Sequence, residues 1–385
     1  MKAYFQVAID QHIERAAKLL EAIDNSDVPR EYHALATTCR TEIVSSKQQL
    51  EDLRDNVEMQ RSELQTIRLR RFRRAVDRIS KIEVTGIAAL SRPLKDDIFL
   101  TRLVDLIRQE IKYPFLPPTV TTLSTNYFHI HNDIHLMFVP LSEGNYLLHL
   151  PDLYHELAHP LLFDDHNPRI ADLRQSVDLT WAHALSYIND EIAYEERRRG
   201  PTEYLLYLAL WQRSWRSWIV EFYCDLFAVF TLGPAFAWAH IHLCMELDHN
   251  PFAVPTRGVS SHPADDARMR VILLGLKKVG FVDVIDDLQA RWDEYLEIAD
   301  VRSHSNYRRC FPDQLLNQLV ELAYSGMVKS PCRIVDPNVA DPIHQVLNNA
   351  WYQFWHHPYN YIQWEKQAVE QLREMCGGFV KEASR

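Results

Sequence analysis

The residues with the greatest capacity for chemistry are His155-Glu156-Leu157-Ala158-His159. On a helix, two histidines four apart lie on one face, one turn from each other. Their imidazoles can grip one Zn²⁺, and Glu156 can reach a water on that ion. Zinc lowers the pKa of such a water toward about 7; Glu156 can then take its proton as general base and pass it to a leaving amine. Chance produces about 0.05 matches to this pattern in a chain of this composition, so it carries weight. Pro151 suits the first turn of the helix that must carry the motif.

A catalytic zinc takes three protein ligands and keeps one position open. The run Trp218 to Ala228 sets Glu221 and Asp225 four apart in an otherwise apolar helix. Buried carboxylates need partners. Glu221 as third ligand, and Asp225 as acceptor from a ligand histidine N–H, would give both a partner. The plain alternative is two carboxylates on a helix surface. A further segment, Ser260-Ser261-His262-Pro263, leads into a helix whose first turn suits Pro263, Asp265 and Asp266. His262 then lies at a loop–helix junction, able to point into a cleft; an ordinary helix cap with exposed His262 and Arg268 is the alternative.

Together these segments resemble a known group. HExxH followed by ExxxD on a later helix is similar to the gluzincin zinc metallopeptidases. The triple His155-Glu-Leu-Ala-His159, Glu221-Phe-Tyr-Cys-Asp225 and His262-Pro-x4-Arg268-Met269 resembles in particular the peptidase M48 family of HtpX- and BepA-like proteases. The resemblance spans roughly residues 120–275. It implies that His155, His159 and Glu221 bind zinc, that Glu156 is the base and that Asp225 orients a ligand. It also implies that His262 and Arg268 sit near the open zinc position or support the active site. Two residues depart from the pattern: Cys224 stands where the family carries a small Ala, and Pro160 follows the second histidine. Pro160 removes a backbone hydrogen bond and disfavours helical geometry at His159, so the helix is expected to kink or end there.

The elements that must position these residues read as helices. Only 10 of 385 residues are Gly, against about 7% in average usage, while Leu, Ala, Glu and Arg abound. There is no GxGxxG, and Gly275 and Gly280 have P-loop spacing without the Lys-Ser/Thr that must follow. Phe5, Ile9, Ile13, Ala16, Leu20 and Ile23 trace one helical stripe. After a break at Asn25 to Pro29, Ile43, Leu50, Val57 and Leu64 recur every seven residues, with Leu53 and Ile67 in a companion seam interrupted by Ser46 and Gln60. That suits a long helix in a hairpin or short coiled coil. Pro114, Pro117 and Pro118 punctuate the chain. Thr119 to Thr125, Tyr127 to Pro140 and Tyr146 to Leu150 read as short strands of a small antiparallel sheet.

The expected organisation is therefore mainly α (α+β). An N-terminal helical region, 1–115, would act in regulation or self-association. A zincin-like metallopeptidase domain with the sheet at its cleft would cover 116–300. A C-terminal helical region, 301–385, would pack on that domain.

Composition limits the remaining choices. The net charge of −10 argues against nucleic-acid binding by bulk electrostatics. Six scattered cysteines without a CxxC suggest buried thiols in a reducing compartment. The N-terminus has no signal-peptide pattern. The apolar run Trp218 to Leu243 carries Glu221, Asp225, Gly233-Pro234, His240 and His242, a load that suits buried helices rather than a membrane span. The arginines between Arg61 and Lys81 read as a solvated face or a docking patch for an acidic partner or RNA.

Other candidates stand further from the chemistry. His129, His131 and His135 alternate along a strand-like run, whose edge could hold a substrate backbone by β-addition. His240, His242, Cys244 and His249 read as core packing, Tyr154 and Tyr223 as weak oxyanion donors, and Trp351, Trp355, His356 and His357 as an aromatic cluster. The overall expectation is a cytoplasmic zinc metalloendopeptidase acting on a protein or peptide. Its competitor is a latent or non-catalytic zinc-binding scaffold.

Overall fold

The computed structural model describes residues 2–57, 62–124, 127–163, 167–199, 203–339 and 341–382. The chain is mainly helical with one small sheet. It divides into two compact units: residues 1–104 with 117–144, and residues 105–116 with 145–385. The strands thus group with the N-terminal helices, not with the helix bearing HExxH, and the segment 301–385 groups with that helix.

In the first unit, α1 (Lys2–Asp24) buries Ile9, Ala16 and Ile23 of the expected stripe, with Phe5, Ile13 and Leu20 partly covered. The heptad run does not form one long helix. Its first part is α2 (His33–Asp55), which buries Ile43, Leu50 and Leu53 and also Ser46. The helix then ends, Val57 is exposed, and the chain resumes in α3 (Gln65–Ile82) packed on α2. Gln60 and Arg61 lie outside the described residues. Arg68 turns inward, donating to the Leu53 carbonyl at 3.1 Å and lying 4.7 Å over the Phe5 ring. Arg70, Arg71, Arg73 and Arg74 are exposed. A π-helical turn (Glu83–Ile87) leads to α4 (Ala88–Ser91) and then α5 (Lys95–Glu110).

The sheet is mixed, not antiparallel. Strand β1 (Thr119–Ser124) pairs parallel with β3 (Leu136–Pro140), and β2 (His129–His131) pairs antiparallel with β3. The run read as one strand from Tyr127 to Pro140 is folded in two by a turn at 132–135, where His135 takes a positive φ of 50°. That reversal is what brings β3 alongside β1 in the same direction. Thr125 lies outside the described residues. Backbone groups of β1 are already engaged: Val120 N–H donates to Thr101 Oγ1 (2.9 Å), Thr122 N–H to Asp97 Oδ1 (2.8 Å), and the Val120 carbonyl accepts from Tyr32 (2.8 Å). These bonds close β1 at those positions to an added strand.

The second unit is built around α8 (Glu203–Leu232). It follows α6 (Asp152–Phe163) and α7 (Ala171–Arg199) and precedes α9 (Pro234–Glu246) and α10 (Asp265–Lys278). Helices α6, α7, α9 and α10 all pack on α8. Trp211, Trp215, Trp218 and Phe222 of α8 are fully buried, each such side chain contributing about 1.5–3 kcal/mol. The apolar stretch Trp218 to Leu243 is the buried end of α8 followed by α9. Gly233, at φ 85°, makes the corner between them. Beyond α10 come α11 (Ile285–Ile298), α12 (Ser305–Cys310), α13 (Asp313–Lys329), α14 (Pro342–His356) and α15 (Pro358–Glu382). No helix among the described residues is long and apolar enough to cross a membrane. All six cysteines are buried.

Two local features shape the entry to α6. Tyr146 to Leu150 is not a strand: the chain winds through tight turns, with Leu150 N–H on the Leu147 carbonyl and Tyr154 N–H on the Pro151 carbonyl. The Leu147 N–H is held by Glu365 of α15 at 2.8 Å, a side-chain bond that diverts it from sheet pairing. Pro160 does not end the helix, which runs on to Phe163. The proline leaves the Glu156 carbonyl without its intrahelical donor.

Candidate functional site

Helices α6 and α8 bring the expected residues face to face. His155 and His159 stand one turn apart on α6, ring centroids 5.2 Å from each other. Glu221 and Asp225 stand one turn apart on α8. His155 spans both carboxylates: Nδ1 lies 2.9 Å from Asp225 Oδ1 and Nε2 lies 3.4 Å from Glu221 Oε2. With Asp225 accepting from Nδ1–H, Nε2 faces Glu221. The 3.4 Å separation is long for a well-formed hydrogen bond. It equals the N···O edge, about 3.4 Å, of a tetrahedral zinc with ligand bonds of about 2.1 Å. That edge suits His155 and Glu221 as neighbours around one metal ion.

Asp225 is wholly buried and held from its other side by Arg268 of α10. Nε donates to Oδ2 at 2.8 Å and Nη2 to Oδ1 at 2.6 Å. Arg268 thus reaches the site through Asp225. His262, in the loop before α10, is largely exposed. Its Nε2 is 3.7 Å from Glu221 Oε2, and Ser261 Oγ lies 2.9 Å from its Nδ1. Glu156 is buried beside the histidines, Oε2 4.0 Å from His159 Nε2. Phe236 stacks near the His155 ring at 6.0 Å.

The electrostatics follow from burial opposed by pairing. Burial works against charge on Asp225, but Arg268 and His155 hold its carboxyl well below the usual carboxylate range. Burial likewise opposes charge on His155, but Asp225 and Glu221 outweigh it and raise the imidazole to about 10 without a metal. Burial, reinforced by the charge on His155, lowers His159 to about 4 and leaves it neutral, as a ligand must be. Burial is also the main cause that lifts Glu156 to about 7, a value suited to proton transfer near neutral pH.

One member of the site was missed from sequence. Cys224 is wholly buried, its thiol held neutral by burial, with Sγ 3.5 Å from His159 Nδ1. The donor atoms of His155, His159 and Cys224 lie within 4.8 Å of one another. The signal was there: Cys224 follows Glu221 by three, which puts both on one side of α8. Other candidates lie elsewhere. The Tyr223 hydroxyl bonds Thr180 of α7 at 2.8 Å, and Tyr154 is buried in the core. His129 and His131 belong to the first unit, where His129 stacks on Phe138 at 4.7 Å. Trp351 and Trp355 pack around Trp238.

Comparison of the chain with known protein families, with curated proteins and with solved structures finds no match.

Proposed function

We propose that the chain is a zinc-dependent metallopeptidase of the gluzincin type, similar to the M48 peptidases, with His155, His159 and Glu221 as metal ligands. The observation that carries the reading is the double engagement of His155: Nδ1 on Asp225 and Nε2 at ligand-edge distance from Glu221. Zinc, when bound, supplies a Lewis acid that polarises a carbonyl and acidifies a water. Glu156, buried beside both histidines, accepts the proton of the attacking water and returns it to the leaving amine. Asp225 fixes the tautomer of His155 and is itself fixed by Arg268. His262, reaching Glu221 from the loop before α10, stands where it can donate to a developing oxyanion.

The test pairs metal content with proteolysis of an unfolded protein substrate. About one zinc is expected to be lost from His155→Ala and from Glu221→Ala. Glu156→Gln should retain it while cleavage ceases. A zinc count undiminished from wild type in both ligand variants removes the reading. Cleavage absent from metal-loaded wild type, with zinc bound as expected, favours the scaffold instead.

A further inference from the structure

Helix α9 carries a second set of metal-ligating side chains, away from His155. His240 and Cys244 are one turn apart and buried, with His240 Nε2 3.7 Å from Cys244 Sγ. Asp265, the first residue of α10, closes on them: the donor atoms of His240, Cys244 and Asp265 lie within 4.8 Å of one another. His249, just beyond α9, reaches the same Asp265 carboxylate through Nε2. An imidazole, a thiol and a carboxylate thus converge from two helices, with His249 bound to the carboxylate beside them.

Their spacing has the dimensions of a zinc site. A tetrahedral ion with Zn–N of about 2.1 Å and Zn–S of about 2.3 Å sets N and S about 3.6 Å apart. The separation x3 between His240 and Cys244 falls in the local range that zinc ligands use. Thiol and imidazole donors favour zinc over magnesium or calcium.

We propose that His240, Cys244 and Asp265 form a second zinc site, with His249 bound to Asp265 beside it. Binding deprotonates the Cys244 thiol. It also requires the His240 proton to sit on Nδ1, which frees Nε2 from the Asp265 carbonyl 3.2 Å away. The ion would clip the end of α9 to the start of α10. Between them runs the irregular segment 247–264, which bears His262. A connection of that length without regular structure is uncommon in a compact unit unless something holds it.

The experiment is metal analysis and cobalt(II) reconstitution of the full chain. Wild type is expected to hold two equivalents, and Cys244→Ala, Asp265→Asn and His155→Ala one each. Cobalt-loaded wild type and His155→Ala should share a thiolate-to-cobalt charge-transfer band in the near ultraviolet, and Cys244→Ala should lack it. A single equivalent undiminished in Cys244→Ala and Asp265→Asn overturns the proposal. So does a band that disappears in Cys224→Ala instead. A single equivalent that survives His155→Ala and vanishes in Cys244→Ala keeps this site and removes the one at His155. Should Cys244→Ala misfold, the near-isosteric Asp265→Asn gives the same metal readout.

Discussion

Arg268 grips Asp225 with two parallel hydrogen bonds, and Asp225 in turn holds His155. Three helices are tied at one buried carboxylate: α10 gives the arginine, α8 the acid and α6 the histidine. Breaking such a pair from one side is costly, because it leaves a buried charge uncompensated. Arg268→Met is expected to cost about 3–5 kcal/mol in denaturant unfolding of the metal-free protein. The double variant Arg268→Met with Asp225→Asn should recover much of that stability, but not metal affinity, because His155 loses its anionic acceptor. Additive losses in the double variant would show that the two residues are not coupled.

The same helix pair depends on Gly275. A Cβ there would lie 2.7 Å from Leu226 Cδ2 and 3.2 Å from Val229 Cγ1 of α8. Gly275→Ala meets mainly the flexible end of Leu226, and the gain of about 1 kcal/mol in helix propensity offsets the crowding. Gly275→Val cannot be absorbed that way and should cost about 1–3 kcal/mol. It should also weaken metal binding, since Arg268 rides on the displaced α10. Wild-type stability and metal affinity in Gly275→Val would show that α10 has room to shift.

Cys224 and Glu221 lie on one side of α8, and metal analysis separates their roles. If Cys224 steadies His159 through Nδ1, Cys224→Ala keeps the zinc stoichiometry and loses about 10–100-fold in affinity. Competition with a chromophoric chelator reads that loss. Complete loss of the ion, with Glu221→Ala still loaded, would make the thiol the third ligand.

Pro160 is a local fault in a working helix. An interior proline costs about 3 kcal/mol, while Pro160→Ala removes roughly two buried methylenes worth about 0.8 kcal/mol each. The variant should therefore be more stable by about 1 kcal/mol. Differential scanning calorimetry would read this as a rise in Tm; a fall would mean that the ring's packing outweighs the missing hydrogen bond.

In the first unit, burial and the charge of Asp97 push the Tyr32 hydroxyl far above its ordinary value. A group raised on folding lends stability that is complete below its unfolded pKa of about 10 and fades as pH climbs toward the folded value. Tyr32→Phe loses the bond to the Val120 carbonyl, about 1 kcal/mol at neutral pH. Its deficit against wild type should shrink above pH 10. A deficit constant to pH 11 would show that Tyr32 ionises no differently in the folded chain.

The residue types and their spacing determined the mainly helical character, the placing of His155 and His159 one turn apart, and that of Glu221 and Asp225 one turn apart on a later helix. Each rests on helical periodicity, which is local and can be read along the chain. The stripe through Ile9, Ala16 and Ile23 was legible for the same reason. The strand run Tyr127 to Pro140, the heptads beyond Asp55 and the segment Tyr146 to Leu150 were not. There a turn, a helix break and the Glu365 bond to Leu147 override local propensity. Tertiary structure alone decided that Arg268 binds Asp225, that Cys224 stands at His159, and that Asp265 meets both the His240–Cys244 pair and His249. Such meetings depend on which helix faces pack together, and sequence spacing carries no record of distances between residues tens of positions apart.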